Sequence, residues 1–284
     1  MPRPPLTLPR PLVTADGLAE RRDTVALVDA RWYLDGRSGH RAYLGGHLPG
    51  AVWVDLDTDL SGAPSADGGR HPLPTPDGFA AAMSRLGIGD DTPVVVYDDA
   101  GGSIAARLWW MLHVLDHPVA VLDGGMAAWP GRLEVGEVTP TARPFTPRAW
   151  PAGRFADADA VDRYRRERRS VVLDARAPSR YEGGQPGLDP RPGHIPGARS
   201  APWAANLDPS GRLAAPDVLA ARYASLGADD AELVVAYCGS GVTACHDLLA
   251  LAAAGRTATA LFVGSWSAWG ADPDRPAETG PDRR

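Results

Sequence analysis

An internal repeat constrains this chain more than any other feature of its sequence. The motif Gly-His-Leu-Pro-Gly-Ala at 46–51 recurs as Gly-His-Ile-Pro-Gly-Ala at 193–198. Further pairs keep the same order along the chain: Asp29 and Asp174, Pro76 and Pro216, Val94 and Val234, and Ala128 and Ala268. The spacing is 145 to 147 residues at first and 140 residues from Pro76 onward, so the first copy carries about seven extra residues near 60–71. Copies of this length indicate two duplicated domains rather than the short units of a solenoid.

The repeat and the proline content suggest where the two domains begin and end. We expect an N-terminal domain at 1–131, a linker at 132–156 with four prolines, and a C-terminal domain at 157–284. A chain of 284 residues is long enough for two domains, each with its own core.

Short valine-rich runs alternate with amphipathic stretches in both copies. Apolar runs without polar alternation are typical of strands that are buried on both faces. The predicted strands are 25–29, 94–97, 119–122, 171–174, 233–237 and 260–263. The pattern predicts an α/β fold with two domains, each a mostly parallel sheet with helices on both faces. Ligands of such sheets bind beyond the carboxyl ends of the strands.

Composition excludes several classes of function. The net charge of -6 argues against a nucleic acid or an anionic membrane as partner. All 29 basic residues are arginine, which excludes Schiff-base, Walker-loop and protein-kinase chemistry because each of these needs a lysine. Two cysteines allow neither a disulfide framework nor a cysteine zinc cluster. The N-terminal residues lack the apolar core of a signal peptide, so we expect a cytoplasmic protein, and we expect a monomer.

The two copies differ at one loop position that matters for chemistry. Cys238 begins a loop in the second copy, where the first copy has Asp98. In both copies this loop joins a predicted strand to the N-terminus of an apolar helix. Amide groups at a helix N-terminus and in a glycine-rich turn stabilise an anion. This setting favours a thiolate and makes Cys238 a candidate nucleophile, with a buried structural cysteine as the alternative.

Two further interpretations of the cysteines are less consistent with the sequence. Cys245 lies within the following helix, roughly 10 Å from Cys238 along its axis, which is too far for a disulfide. We interpret it as core packing. A cysteine-dependent phosphatase would need an arginine at the sixth position after the cysteine to bind phosphate, and Ala244 stands there.

Three motifs together resemble the tandem-domain rhodanese family, and most closely its 3-mercaptopyruvate and thiosulfate sulfurtransferases. They are the run Cys-Gly-Ser-Gly-Val-Thr-Ala at 238–244, the two Gly-His-Leu/Ile-Pro-Gly-Ala motifs, and Gly-Ser-Trp-Ser-Ala-Trp at 264–269. The resemblance extends from about Leu27 to Trp269. It implies an inactive N-terminal domain and a catalytic C-terminal domain, with the site in the cleft between them.

The resemblance also implies a reaction. Cys238 would take a sulfane sulfur from a small anionic donor and pass it from a persulfide to a thiol, cyanide or thioredoxin-like acceptor, without a metal or organic cofactor. The implied catalytic residues are Cys238, Ser240, His71 and Asp57. The implied substrate-binding residues are Arg180, Gly239, Gly241, Val242, Thr243 and Ala244.

The choice of donor rests on two comparisons with the family pattern. The pair Gly239-Ser240 is similar to the mercaptopyruvate branch, because thiosulfate-preferring relatives carry basic residues there. The family uses two arginines before the second Gly-His-Ile-Pro-Gly motif; Arg180 matches the first, but Gly187 stands at the position of the second. Arg191 is close but out of register. A thiosulfate:cyanide sulfurtransferase and a non-catalytic persulfide carrier are therefore the alternatives to a mercaptopyruvate enzyme.

Overall fold

The computed structural model describes residues 8, 11–184 and 188–282. The chain divides into two compact units. Unit 1 comprises Met1–Leu60, Pro74–Trp150 and Ser210–Arg212, and unit 2 comprises Ser61–Leu73, Pro151–Pro209 and Leu213–Arg284. Residues 61–73, which hold most of the extra residues of the first copy, thus belong to unit 2 and not to the unit formed by the rest of that copy.

Unit 1 contains a five-stranded parallel sheet. Its strands are β1 (Leu12–Val13), β2 (Ala26–Asp29), β3 (Val52–Trp53), β4 (Val94–Tyr97) and β5 (Val119–Leu122). They lie in the order β1-β5-β4-β2-β3. The helices of this unit are α1 (Ala15–Ala19), α2 (Gly39–Gly45), α3 (Pro76–Arg85) and α4 (Ala105–Val114), with 3₁₀ turns at Arg22–Thr24 and Gly125–Ala128.

Unit 2 repeats this arrangement. Its strands are β6 (Phe155–Ala156), β7 (Ser170–Asp174), β8 (Arg199–Ser200), β9 (Leu233–Tyr237) and β10 (Thr259–Phe262). Their order, β6-β10-β9-β7-β8, is the same as in unit 1, and all described pairings are parallel. The helices are α5 (Ala158–Tyr164), α6 (Pro178–Tyr181), α7 (Pro216–Ser225), α8 (Ala244–Ala253) and α9 (Ser265–Trp269), with a 3₁₀ turn at Trp203–Asn206.

The buried valine-rich runs become the inner strands of the two sheets, as predicted. All four residues of β4 are buried, and so are the last four of β9. The six predicted strands agree with the structure to within one residue at either end. The predicted α/β class, with a parallel sheet in each copy, is therefore confirmed.

In both units an Asp–Arg ion pair connects the end of a strand, β2 or β7, to the Gly-His-Leu/Ile-Pro-Gly motif. In unit 1 the buried Asp29 carboxylate accepts from Arg31, whose Nη2 also donates to the carbonyl of Gly46 at 2.7 Å. In unit 2 Arg176 bonds Asp174 and the carbonyl of Gly193 in the same way. Because both copies contain this bridge, we assign it to the fold rather than to the reaction.

Residues 132–156 contain little regular structure, but part of this segment packs firmly on unit 1. Glu134 forms a backbone bridge with His47, and the buried ring of Phe145 meets the ring of Phe79 edge-on at 5.9 Å. At its end, Phe155 and Ala156 form the edge strand β6 of unit 2.

The two motif histidines are buried within the turns. The rings of His47 and His194 stack on Tyr43 and Tyr181, at 4.1 and 3.6 Å between ring centroids, and each Nδ1 lies within hydrogen-bond distance of that tyrosine's carbonyl. Among the described residues, no group of three His, Cys, Asp or Glu side chains is placed to hold a metal. In the same part of the chain, no helix is both long and apolar enough to cross a membrane.

Candidate active site

Cys238 follows β9, the central strand of the sheet in unit 2, and is only 2% exposed. Its amide donates to the Ser265 hydroxyl at 3.1 Å, and its carbonyl accepts from the Trp266 amide at 2.9 Å. Ser265 has a left-handed backbone with φ of 51°, and its hydroxyl also donates to the carbonyl of Phe262 at 2.9 Å. The turn after β10 therefore fixes the cysteine backbone at the carboxyl end of β9.

The loop after Cys238 folds back onto the sulfur. The Gly241 amide points at Cys238 Sγ, with the nitrogen 3.2 Å away. Gly241 has φ of +77°, and a Cβ atom there would lie 2.5 Å from the carbonyl oxygen of Val263. The turn that brings this amide to the sulfur therefore requires glycine.

The matching loop of unit 1 shows what such a turn can bind. The buried carboxylate of Asp98 accepts four amide hydrogen bonds of 2.8 to 2.9 Å, from Ala100, Gly102, Ile104 and Ala105. In unit 2 the counterparts of the first three donors are Ser240, Val242 and Ala244. None of these three amides donates to an acceptor among the described residues, whereas the fourth counterpart, Cys245, donates to the Val242 carbonyl.

Ser240 and His71 form a polar pair in the same unit. Ser240 Oγ and His71 Nδ1 share a hydrogen bond of 2.8 Å, and both residues are at least nine-tenths buried. The segment 61–73 carries His71 into unit 2. The pair joins a hydroxyl two residues from Cys238 to a group that can accept or release a proton near neutral pH.

Arg180, at the third position of α6, lies over the residue after the cysteine. A Cβ atom on Gly239 would lie 2.8 Å from its Nη2. Arg180 bonds both carboxylate oxygens of Asp189, at 2.9 and 2.5 Å, and Arg176 reaches the same carboxylate at 3.1 Å. Asp189 thus holds two guanidinium groups with a bidentate geometry on one of them. The sequence pattern did not identify Asp189, although it is the only acidic residue between Glu182 and His194.

Arg70 is a second cation at this place that the sequence interpretation missed. Its Nη2 would lie 3.0 Å from a Cβ atom on Gly239. Burial lowers the pKa of Arg70, and the neighbouring Arg180 lowers it further, while Asp189 and Cys238 oppose the shift. The signal that could have found Arg70 was its place directly before His71 in the segment that only the first copy contains.

The remaining predicted residues lie in several parts of the structure. Gly239, Gly241, Val242 and Thr243 form the loop between β9 and α8, and Ala244 begins α8. Asp57 belongs to unit 1, where its exposed carboxylate accepts from Trp32 Nε1 at 3.0 Å. Arg191 donates to the carbonyl of Arg275 at 2.6 Å and lies over the Trp266 ring. Position 187 is outside the described residues.

This arrangement suits a nucleophilic sulfur that exchanges an anionic group. The sulfur meets a backbone amide, three further amides of the loop have no described acceptor, and two guanidinium groups lie over the neighbouring glycine. Donors and cations placed in this way stabilise a thiolate, a persulfide or an anionic substrate.

Comparison with known proteins agrees with this chemistry. The family described as "Rhodanese-like domain" matches residues 14–131 and again 157–272. A "Probable 3-mercaptopyruvate sulfurtransferase" of Pseudomonas aeruginosa is 43% identical, covering 95% of this chain and 98% of the relative. A provisionally named thiosulfate sulfurtransferase, SseB of Mycobacterium tuberculosis, is 40% identical, covering 93% of this chain and 94% of the relative.

A solved structure gives the same result. The crystal structure of SseA from Escherichia coli, reported with the fold and mechanism of 3-mercaptopyruvate sulfotransferases, is 34% identical and superimposes with a TM-score of 0.78. The match covers 90% of this chain and 98% of that one. The two matched domains, their order and the similarity over nearly the whole length show that this chain is a sulfurtransferase of the tandem-domain rhodanese family.

Proposed function

We propose that this sulfurtransferase carries a sulfane sulfur on Cys238 and takes it by preference from 3-mercaptopyruvate. One observation supports Cys238 as the residue that holds the sulfur. Its sulfur meets the Gly241 amide in a loop whose counterpart in unit 1 binds a carboxylate with four amides. In that copy Asp98 provides the anion itself, so we propose that the first domain, 1–131, is inactive and that 157–284 is catalytic.

The first half-reaction forms a persulfide. The Cys238 thiolate attacks the donor sulfur and a new S–S bond forms. The carbon–sulfur bond of mercaptopyruvate breaks, and its electron pair stays on carbon as the enolate of pyruvate. The thiol proton of the donor ends on that carbon, which gives pyruvate and a persulfide anion. The amides of Ser240, Val242 and Ala244 are placed to stabilise that anion.

The second half-reaction restores the enzyme. A thiolate or cyanide attacks the outer sulfur and the S–S bond breaks, with its electron pair returning to Cys238 Sγ. With cyanide the product is thiocyanate.

The hydrogen bond between Ser240 and His71 favours mercaptopyruvate as donor. An enolate leaving group develops charge on its oxygen, and a hydroxyl supported by an imidazole can donate to that oxygen. We propose that His71 positions the Ser240 hydroxyl and that Asp57 assists it. Thiosulfate offers no such oxygen, because sulfite leaves with the electron pair of the S–S bond.

Thiosulfate is the second candidate donor. Two guanidinium groups beside the cysteine suit a dianion as well as a carboxylate. The name given to the relative from Mycobacterium tuberculosis points the same way.

The decisive experiment compares both donors under one assay. Wild type and Cys238→Ser are assayed for thiocyanate formation with 3-mercaptopyruvate and with thiosulfate. Cys245→Ala is the matched control, because it removes the second thiol, which donates to the Gly241 carbonyl at 3.4 Å. We expect Cys238→Ser to lose activity with both donors and Cys245→Ala to retain it. A higher kcat/KM with thiosulfate than with mercaptopyruvate would overturn the donor assignment. Turnover by Cys238→Ser would overturn the mechanism.

A further inference from the structure

Three arginines and two aspartates meet around the reactive loop, and their charges do not balance. Arg176 is bonded to both Asp174 and Asp189, and Arg180 grips Asp189 with two hydrogen bonds. The carboxylates of Asp174 and Asp189 thus form their ion pairs with Arg176 and Arg180. Arg70 is the third arginine, and it leaves the cluster with an excess of positive charge.

Arg70 differs from its neighbours in its partners. Its Nη1 donates to the carbonyl of Leu188 at 2.9 Å, and its amide donates to the Ser267 hydroxyl at 3.1 Å. Among the residues that the structure describes, no carboxylate forms an ion pair with it. The two neutral contacts hold the side chain in place, and the charge on the guanidinium is opposed only through space, by Asp189 and Cys238.

The charge of Arg70 lies beside the residue that follows Cys238. Nη2 of Arg70 and Nη2 of Arg180 both approach Gly239, the residue next to Cys238, and a Cβ atom there would lie within 3.0 Å of each. Two guanidinium groups that converge on one point beside a nucleophile form a site for a small anion with two or three oxygens. A half-buried cation without a carboxylate partner is costly, and a bound anion would remove that cost.

We propose that Arg70 determines donor specificity by binding the anionic group of the sulfur donor together with Arg180. This inference rests on the proposed function, since it concerns the donor of the same site. The recognised chemistry is the carboxylate of mercaptopyruvate or the SO₃ group of thiosulfate, held one residue away from the sulfur that attacks. The ligand of Arg70 is therefore the part of the donor that does not react.

The first test is kinetic. Arg70→Gln, Arg70→Lys and wild type are compared with 3-mercaptopyruvate and with thiosulfate. Arg168→Gln is the matched control, because it removes the same charge from an exposed side chain of unit 2. Loss of one charge-assisted hydrogen-bonded contact predicts a KM for the donor that is roughly tenfold to a hundredfold higher in Arg70→Gln. Arg70→Lys should recover part of this loss, and the control should match wild type.

The second test separates anion binding from any effect on the thiol itself. Cys238 is alkylated with anionic iodoacetate and with neutral iodoacetamide in the Cys245→Ala background, so that the adduct on the peptide reports Cys238 alone. Both reagents need the same thiolate, so the ratio of their rate constants cancels any change in thiolate fraction. We expect the rate constant for iodoacetate divided by that for iodoacetamide to fall about tenfold in Arg70→Gln and to stay unchanged in Arg168→Gln.

The outcomes distinguish this inference from the proposed function. An unchanged donor KM and an unchanged alkylation ratio in Arg70→Gln would overturn the role of Arg70, even if Cys238 remains essential. A rise in KM for one donor only would assign Arg70 to the anionic group of that donor. Activity that survives in Cys238→Ser would overturn the proposed function instead, and the alkylation ratio would still report whether Arg70 attracts anions.

Discussion

At the residue scale, the two copies differ most informatively at Asp98 and Cys238. Both side chains stand at the carboxyl end of the central strand of their sheet, before the same kind of loop. The carboxylate of Asp98 accepts hydrogen bonds from four amides of the loop that follows it. The single sulfur atom of Cys238 accepts from the Gly241 amide. We therefore propose that the same backbone supports a closed structural turn in one copy and a reactive one in the other.

Removing the Asp98 carboxylate should destabilise the protein. Asp98→Ala leaves four amides without their acceptor, three of them buried, and we expect the free energy of unfolding to fall by about 3 kcal/mol or more. Asp99→Ala is the control, since this exposed neighbour accepts just one hydrogen bond from a described residue, the Tyr33 hydroxyl at 2.7 Å, and its effect should stay below about 1 kcal/mol. Urea unfolding measures both variants. Equal effects of the two substitutions would contradict the interpretation of the loop as an anion-binding turn.

Ser240 offers a donor-selective prediction. Ser240→Ala removes the hydroxyl that bonds His71, and loss of one donor to a developing enolate oxygen should lower kcat with 3-mercaptopyruvate by about a hundredfold. The thiosulfate rate should change much less, because sulfite leaves without an enolate. The ratio of the two rates is the measurement. A uniform loss with both donors would mean that Ser240 only shapes the loop.

At the element scale, α8 connects the reactive loop to a buried polar cluster. Asp247, on the first turn of this helix, accepts from Asn206 at 2.8 Å and from the Tyr223 hydroxyl at 3.0 Å through one oxygen. Its Oδ2 has no hydrogen-bond partner in the part of the chain that the structure describes. Burial raises the pKa of Asp247 to about 7, although Asn206, Arg222 and Tyr223 oppose the shift. The helix that begins at the loop thus contains a carboxyl group that titrates near neutral pH.

This cluster predicts how stability changes with pH. An unfolded aspartate has a pKa of about 3.9, so between about pH 4 and pH 7 the folded protein retains a proton that the unfolded chain releases. The contribution of Asp247 to the free energy of unfolding therefore decreases as pH rises through this range. Asp247→Asn mimics the protonated acid and should become more stable relative to wild type from pH 5 to pH 8.

The control for this experiment is Asp230→Asn, which removes an exposed carboxylate of the same unit. Its unfolding free energy should follow the wild-type profile at each pH. A constant difference between Asp247→Asn and wild type would show that Asp247 does not titrate in this range.

The strands and the reactive loop could be predicted from the sequence because their signals are local. Buried valine runs mark β4 and β9, and the repeat shows that Cys238 stands where Asp98 does. The cations around the loop could not be predicted in this way, because only tertiary folding brings Arg70 beside Gly239. Arg191, four residues after the expected position 187, instead bonds the carbonyl of Arg275. Asp189 gave no signal, since its role depends on two arginines that converge on it.

At the scale of the whole molecule, the sequence encodes one fold twice, and we propose that the reactive chemistry belongs to one copy. Both units have the same strand order, and both match the rhodanese-like domain family. The net charge is -6, yet the loop in unit 2 lies beside arginines that exceed their carboxylate partners. Local charge rather than overall charge therefore suits this sulfurtransferase to an anionic donor.

The most direct test of this account is mass spectrometry of the sulfur carrier. The enzyme is treated with 3-mercaptopyruvate without an acceptor, alkylated and digested. We predict one added sulfur atom on Cys238, none on Cys245, and loss of the added atom when cyanide is supplied, with an equal amount of thiocyanate formed. Fragment ions assign the sulfur, because residues 238–245 contain no Arg, Asp or Glu and both cysteines stay on one peptide. An unmodified Cys238 in an enzyme that still produces pyruvate and thiocyanate would contradict the account.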